Sequence, residues 1–151
     1  MRKAMLFVAV FGCVSLVWAA DPFVGTWKLN VAKSKFTNTT FKSFTMTTEA
    51  QGNDIKWVQD MVVAGGTAIH RSAAGKYDGK DYPVVGDPSV DTFSIVKTNP
   101  NTVKYTFKKS GKEVDSGEAV VSKDGKTCTD TGGGKDANGQ AFTYTLFTEK
   151  Q

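Results

Sequence analysis

The chain has 151 residues, 19 basic and 15 acidic, with a single histidine and two cysteines. That length fits one ordinary domain. One histidine excludes a histidine metal cluster, and interspersed Lys and Asp give no basic face of the kind that nucleic acids require.

The first element is a leader. Arg2 and Lys3 open it, an apolar run follows from Ala4 to Trp18, and Ala19 and Ala20 precede Asp21-Pro22. Charge, apolar stretch and small residues in that order define a secretory signal. Cleavage after Ala19 sets Val17 and Ala19 at the small-residue positions, whereas cleavage after Ala20 would put Trp18 at one of them. The expected division is a signal peptide over 1–19 and one domain over 20–151, located in the periplasm or outside the cell. Cys13 lies within the apolar run, which continues past it, so lipid anchoring there is only a minor alternative. Removal of the leader leaves 17 basic against 15 acidic residues, a charge of +2. It also leaves Cys128 alone, so the domain can form no internal disulfide and depends on its core.

Turn signals recur every 9 to 14 residues: Gly52-Asn53, Gly65-Gly66, Asp78-Gly79, Asp87-Pro88, Pro100-Asn101, Ser110-Gly111, Asp124-Gly125 and Asn138-Gly139. Asn-Gly and Asp-Gly suit tight hairpins because their residues tolerate positive φ. About ten strands are expected between them, at 23–30, 42–50, 54–63, 67–76, 80–85, 90–98, 102–109, 112–121, 126–131 and 140–148. Their apolar residues alternate. Ile55, Trp57, Gln59, Met61 and Val63 share one face; so do Val103, Tyr105 and Phe107, and then Phe142, Tyr144 and Leu146. Each of these strands therefore has a buried and a wet side. Residues Val31 to Phe36 could form one helical turn at most. Thr131 to Lys135 (TGGGK) is expected to be a flexible loop, since a phosphate cradle needs a following helix. Asp136 to Gln140 is a hairpin. The fold class is all-β: an antiparallel up-and-down barrel of about ten strands, because a sheet of that width curls and closes to remove its edges. A two-sheet sandwich is the alternative.

The sequence Gly25-Thr26-Trp27 in the first strand resembles the opening of the lipocalin and fatty-acid-binding protein superfamily. The resemblance implies structural roles for Gly25 and for Trp27, which would pack across the closed end of the barrel. Asp78 to Val84 (DGKDYPV), Val121 to Thr127 (VSKDGKT) and Glu149-Lys150-Gln151 also resemble a set of small secreted bacterial lipocalin-like proteins. There are departures. Arg71 is the only arginine after the leader, and Phe142-Thr143-Tyr144 stands where fatty-acid-binding proteins carry Arg-x-Tyr. The segment from Val31 to Phe41 is too short for their helix pair.

Catalytic signals are scarce. His70 has Ser72 on its own strand face and Asp60 on the neighbouring strand, a proximity that sheets produce by chance. An outer-membrane barrel is disfavoured because Lys56, Asp60, Lys104 and Lys108 occupy the face opposite the bulky apolar one. The expected function is non-catalytic binding of a small apolar or amphipathic molecule by a monomer, with no cofactor and no membrane insertion. The expected lining is Trp57, Gln59, Met61, Tyr105, Phe107, Phe142 and Tyr144. The alternative is an envelope structural or interaction module, an inhibitor or adhesin, using the loops of a filled barrel. A cavity of roughly 300 Å³ or more would favour the first.

Overall fold

The computed structural model describes residues 20–151; the expected signal segment and Cys13 lie outside the described residues. Eleven strands run in chain order: β1 (Gly25–Leu29), β2 (Lys35–Thr37), β3 (Phe41–Gln51), β4 (Asp54–Val63), β5 (Ala68–Gly75), β6 (Tyr82–Val85), β7 (Thr92–Asn99), β8 (Thr102–Lys109), β9 (Lys112–Val121), β10 (Thr127–Lys135) and β11 (Ala141–Lys150). From β3 to β11 each strand pairs antiparallel with the next. β1 pairs with both β3 and β11, which closes a ten-stranded barrel. All eight turn signals fall between strands, and Gly52, Gly79, Gly125 and Gly139 take the positive φ that makes those turns tight.

Two expectations need correction. The segment 31–41 is more than a connection. After a 3₁₀ turn at Val31–Lys33 the chain continues as β2, the eleventh strand, along the same edge of β11 that β1 occupies. Asn30 N–H donates to Phe147 O at 2.8 Å, and Phe147 N–H donates to Ser34 Oγ at 2.9 Å. These bonds keep the edge paired across the turn. The TGGGK stretch is also no loop: β10 runs through Lys135, paired with β9 and β11 on either side.

Two apolar clusters form the core. One holds Phe23, Trp27, Val103, Val121 and Cys128. Phe23 precedes β1 rather than belonging to it, and its carbonyl accepts a 2.9 Å hydrogen bond from Trp27 Nε1. Trp27 is 4% exposed. Lys150 passes over its ring at 5.0 Å, and a Cβ on Gly25 would meet the Lys150 stem at 2.6 Å. The two residues of the Gly-x-Trp signature thus form one closure with the last strand. The second cluster, around Ile55, Trp57, Ala73, Val90, Phe93 and Phe107, is mid-barrel, with Trp57 edge-on to Phe93 at 5.1 Å and to Phe107 at 6.0 Å.

Candidate functional site

Between these clusters the interior is open. The cavity is lined mainly by aromatic and aliphatic side chains, among them Trp57, Phe93, Ile95 and Phe107, with Gln59, Tyr105 and Asp130 at one side. Its volume is about 80 Å³, well below the range of drug-sized ligand pockets, about 300–1,000 Å³, and short of the roughly 300 Å³ that would by itself favour the binding reading; it is sized for a small guest. A smaller polar lobe adjoins it, bounded by Met61, Arg71, Asp115 and Tyr144, and shares Gln59, Tyr105 and Asp130.

The polar lobe is built on one row across four strands. Tyr105 of β8 is in register with Gly117 of β9, Gly117 with Gly132 of β10, and Gly132 with Tyr144 of β11. The two glycines leave room for the tyrosines to lean over them from either side. A Cβ on Gly117 would stand 2.5 Å from the Tyr105 hydroxyl, and one on Gly132 would stand 2.6 Å from that of Tyr144. The hydroxyls meet at 2.8 Å. Bulky aromatics covering strand glycines are a known device for holding such strands, and here they account for the glycine-rich sequence of β10.

Each tyrosine also reaches a carboxylate: Tyr105 donates to Asp130 Oδ1 at 2.6 Å and Tyr144 to Asp115 Oδ1 at 2.8 Å. Asp115 and Asp130 lie two residues before the glycines, so alternation sets them on the same inward face. Asp130 borders both the cavity and the polar lobe, and Asp115 borders the polar lobe alone. Burial pushes Asp130 up to about 7 and Asp115 up to about 6, although hydrogen bonds from the tyrosines and the charge of Arg71 pull both down. Burial, with the neighbouring carboxylates adding to it, holds both phenols far above their ordinary range, so they stay protonated donors.

Arg71 supplies the positive charge. Its Nε donates to Gln59 Oε1 at 2.7 Å, and its Nη1 lies 3.3 Å from Asp87 Oδ2. Both members of this ion pair are deeply buried. Its guanidinium stacks 4.3 Å from the centre of the Phe107 ring. Asp87 is fixed in turn by Ser89, through backbone N–H at 2.9 Å and hydroxyl at 2.6 Å. Thr48 also lines the cavity; it is 2% exposed, and its hydroxyl has no hydrogen-bond partner in the protein.

Of the expected lining, Trp57, Gln59, Tyr105 and Phe107 border the apolar cavity, while Met61 and Tyr144 border only the polar lobe. Phe142 borders neither; it is half-buried, stacked on Tyr144 at 6.3 Å. His70 lies on the outer face, its Nδ1 2.6 Å from Asp60 Oδ1, both side chains more than half exposed. Lys56 and Lys104 are outward as expected. Sequence reasoning passed over the interior charges, Arg71, Asp87, Asp115 and Asp130. Parity alone marks Asp115 with Gly117, Ala119 and Val121, and Asp130 with Cys128. Burial pushes the thiol of Cys128 up to about 12, so it is an unreactive neighbour.

No family model matches this chain, and no curated protein matches it by sequence. Solved structures do match in three dimensions. Zebrafish ileal bile acid-binding protein, complexed with cholic acid, superposes with a TM-score of 0.53 at 12% identity, over 86% of this chain and 99% of that one. EF1p2_mFAP2b bound to DFHBI gives 0.50 at 12% identity, over 88% and 97%. The fold is the closed antiparallel barrel of the lipocalin and fatty-acid-binding type.

Proposed function

We propose that this protein is a non-catalytic, secreted lipocalin-like binding protein that holds one small, largely apolar molecule inside its barrel. The observation that carries the reading is the aromatic-lined interior space beside Trp57 and Phe107, whose lining also includes Gln59, Tyr105, Asp130 and the unpartnered Thr48 hydroxyl. Such a combination, apolar walls with a few convergent polar groups, suits a ligand site. The cholic acid and DFHBI carried by the two structural neighbours are consistent with that use of the fold. The outer face bears charged pairs such as Lys108 with Asp81 at 2.8 Å, which suits a monomer in water. Among the described residues no helix is long and apolar enough to cross a membrane.

The test is native mass spectrometry of protein purified from its own compartment, followed by titration with an environment-sensitive apolar dye. A retained small molecule, or stoichiometric dye uptake weakened by Tyr105→Ala, supports the reading. Folded protein with no retained molecule and no uptake refutes it. Export is tested separately by N-terminal sequencing of the recovered protein, which should begin at Ala20 or Asp21. A chain that still starts at Met1, or is lipid-modified at Cys13, refutes the export assignment.

A further inference from the structure

The hydrogen bonds of the polar lobe carry a proton count. Three contacts link four groups in line, Asp130 to Tyr105, Tyr105 to Tyr144 and Tyr144 to Asp115, at 2.6, 2.8 and 2.8 Å. A hydrogen bond needs one proton between its two oxygens, and an ionised carboxylate can only accept. Two tyrosines supply two protons for three contacts. With both acids ionised, one pair of oxygens would face each other at hydrogen-bond distance with nothing between them. One proton on one carboxyl completes the line, and while the other carboxyl stays ionised the pair carries a single negative charge.

Arg71 is the cation whose charge favours ionisation of both acids, and it is shared with Asp87, its ion-pair partner at 3.3 Å. Lys97 is matched by Asp21 at 3.0 Å. Glu113, on the strand of Asp115, adds negative charge, and the protonated phenols and the Cys128 thiol add none. One guanidinium between Asp87 and the acid pair leaves an excess of negative charge, which is costly when buried, and Asp130 borders the aromatic cavity. Thr48, which lines the same space, keeps a buried hydroxyl without a hydrogen-bond partner in the protein. Excess negative charge beside aromatic walls points to a cationic occupant.

Resting on the reading of the interior as a binding cavity, we infer that the ligand is a compact aromatic or cyclic molecule bearing a protonated amine. Its ammonium meets the carboxylate shared by Asp115 and Asp130. Its ring lies among Trp57, Phe93 and Phe107. Aromatic faces beside the acids favour a cation as well. A carboxylate ligand would meet this same negative charge and be disfavoured, and Arg71 offers it little while Asp87 and Gln59 hold the guanidinium.

The experiment compares three small ligands of nearly one size and different charge: benzylamine, benzyl alcohol and benzoate. Affinities are measured by titration calorimetry on the full mature protein at about pH 7.5, where the amine is protonated. The expected result is that the amine binds at least about tenfold more tightly than the other two. Asp130→Asn, checked for folding by circular dichroism, should remove most of that advantage and leave the alcohol within about twofold. Equal or tighter binding of benzoate overturns the charge assignment while leaving the cavity intact. So does an advantage of the amine that survives in Asp130→Asn. Should that variant not fold, the wild-type ranking decides, together with its change on acidification. Protonating both acids at about pH 5 must erode the amine's advantage, and an unchanged ranking there overturns the inference. If none of the three binds, the underlying cavity reading falls and the inference falls with it.

Discussion

The acid pair gives the stability of this barrel an unusual pH dependence. Asp130 is pushed up to about 7 and Asp115 up to about 6 from an ordinary value of 3.8. A group whose folded value is raised stabilises the fold fully below its unfolded value, and that stability is lost as pH rises through the folded value. Unfolding free energy should thus rise as pH falls from about 8 to about 5. Each unit of difference is about 1.4 kcal/mol, so Asp130 alone could contribute up to about 4 kcal/mol; water in the cavity and the shared proton reduce this, and a gain of about 2–3 kcal/mol is expected. The opposing groups act elsewhere on the scale. Asp78, Asp91, Asp124 and Glu149 are held below their ordinary values, chiefly by bonds from the Lys80 N–H, Lys109, Ser122 and Lys33 respectively. Their contributions are lost only as pH falls through those lowered values, below about 4. The assay is urea unfolding at pH steps from about 8 to about 5, on wild type and Asp130→Asn. The asparagine cannot ionise but still accepts from Tyr105, so the variant should exceed wild type by about 1–3 kcal/mol at the alkaline end and lose the advantage at the acid end. Wild-type stability that is flat or falls across this window, or a variant with an unchanged slope, would refute the reasoning.

Three further outcomes follow from packing. Trp27→Ala should cost about 3–5 kcal/mol in urea unfolding, and a loss below about 1 kcal/mol would place Trp27 outside the closure. Gly117→Ala should cost about 1–3 kcal/mol, since the new methyl meets both the Tyr105 hydroxyl and, at 2.7 Å, the immovable Thr131 carbonyl; near-ultraviolet circular dichroism should report the displaced tyrosine. Gln59→Leu strips the acceptor from Arg71 Nε–H and should destabilise by about 1–3 kcal/mol; a neutral result would mean that Arg71 finds another acceptor.

Much of this fold is legible in the sequence because hairpins and faces obey local rules. Gly52-Asn53 or Asp124-Gly125 needs only its own φ angles to turn, and Ile55, Trp57, Gln59 and Met61 need only the pleat to point inward. What local rules miss depends on partners far along the chain. Lys35-Phe36-Thr37 has no strand signal of its own, and becomes one because the free edge of β11 lies beside it. Gly132-Gly133-Gly134 reads as a loop until Tyr144 and Tyr105 close over it. The site was half legible for the same reason. Aromatic lining follows from alternation, but the charges inside run against the expectation that Asp and Arg face water. Only the tyrosine hydroxyls, brought in from β8 and β11, and the pair of Arg71 on β5 with Asp87 in the turn after β6 make that burial affordable.

The seam has a kinetic consequence. β11 is completed by residues from the beginning of the domain, and Lys150 Nζ reaches the Pro22 carbonyl across 128 positions. Contacts between such distant residues form slowly, since the intervening chain must be ordered or looped first. Until β1 and β2 arrive, the sheet is an open curl with β11 bare along one side. The segment bared, Phe142 to Phe147 (FTYTLF), is uncharged, proline-free and rich in β-forming residues, the profile of a strand that pairs with copies of itself. The short strand at Lys35–Thr37 thus does more than thicken the wall. It covers Thr143 to Thr145, the middle of that segment, and any change that delays its docking should divert folding chains into aggregates before it weakens the finished barrel.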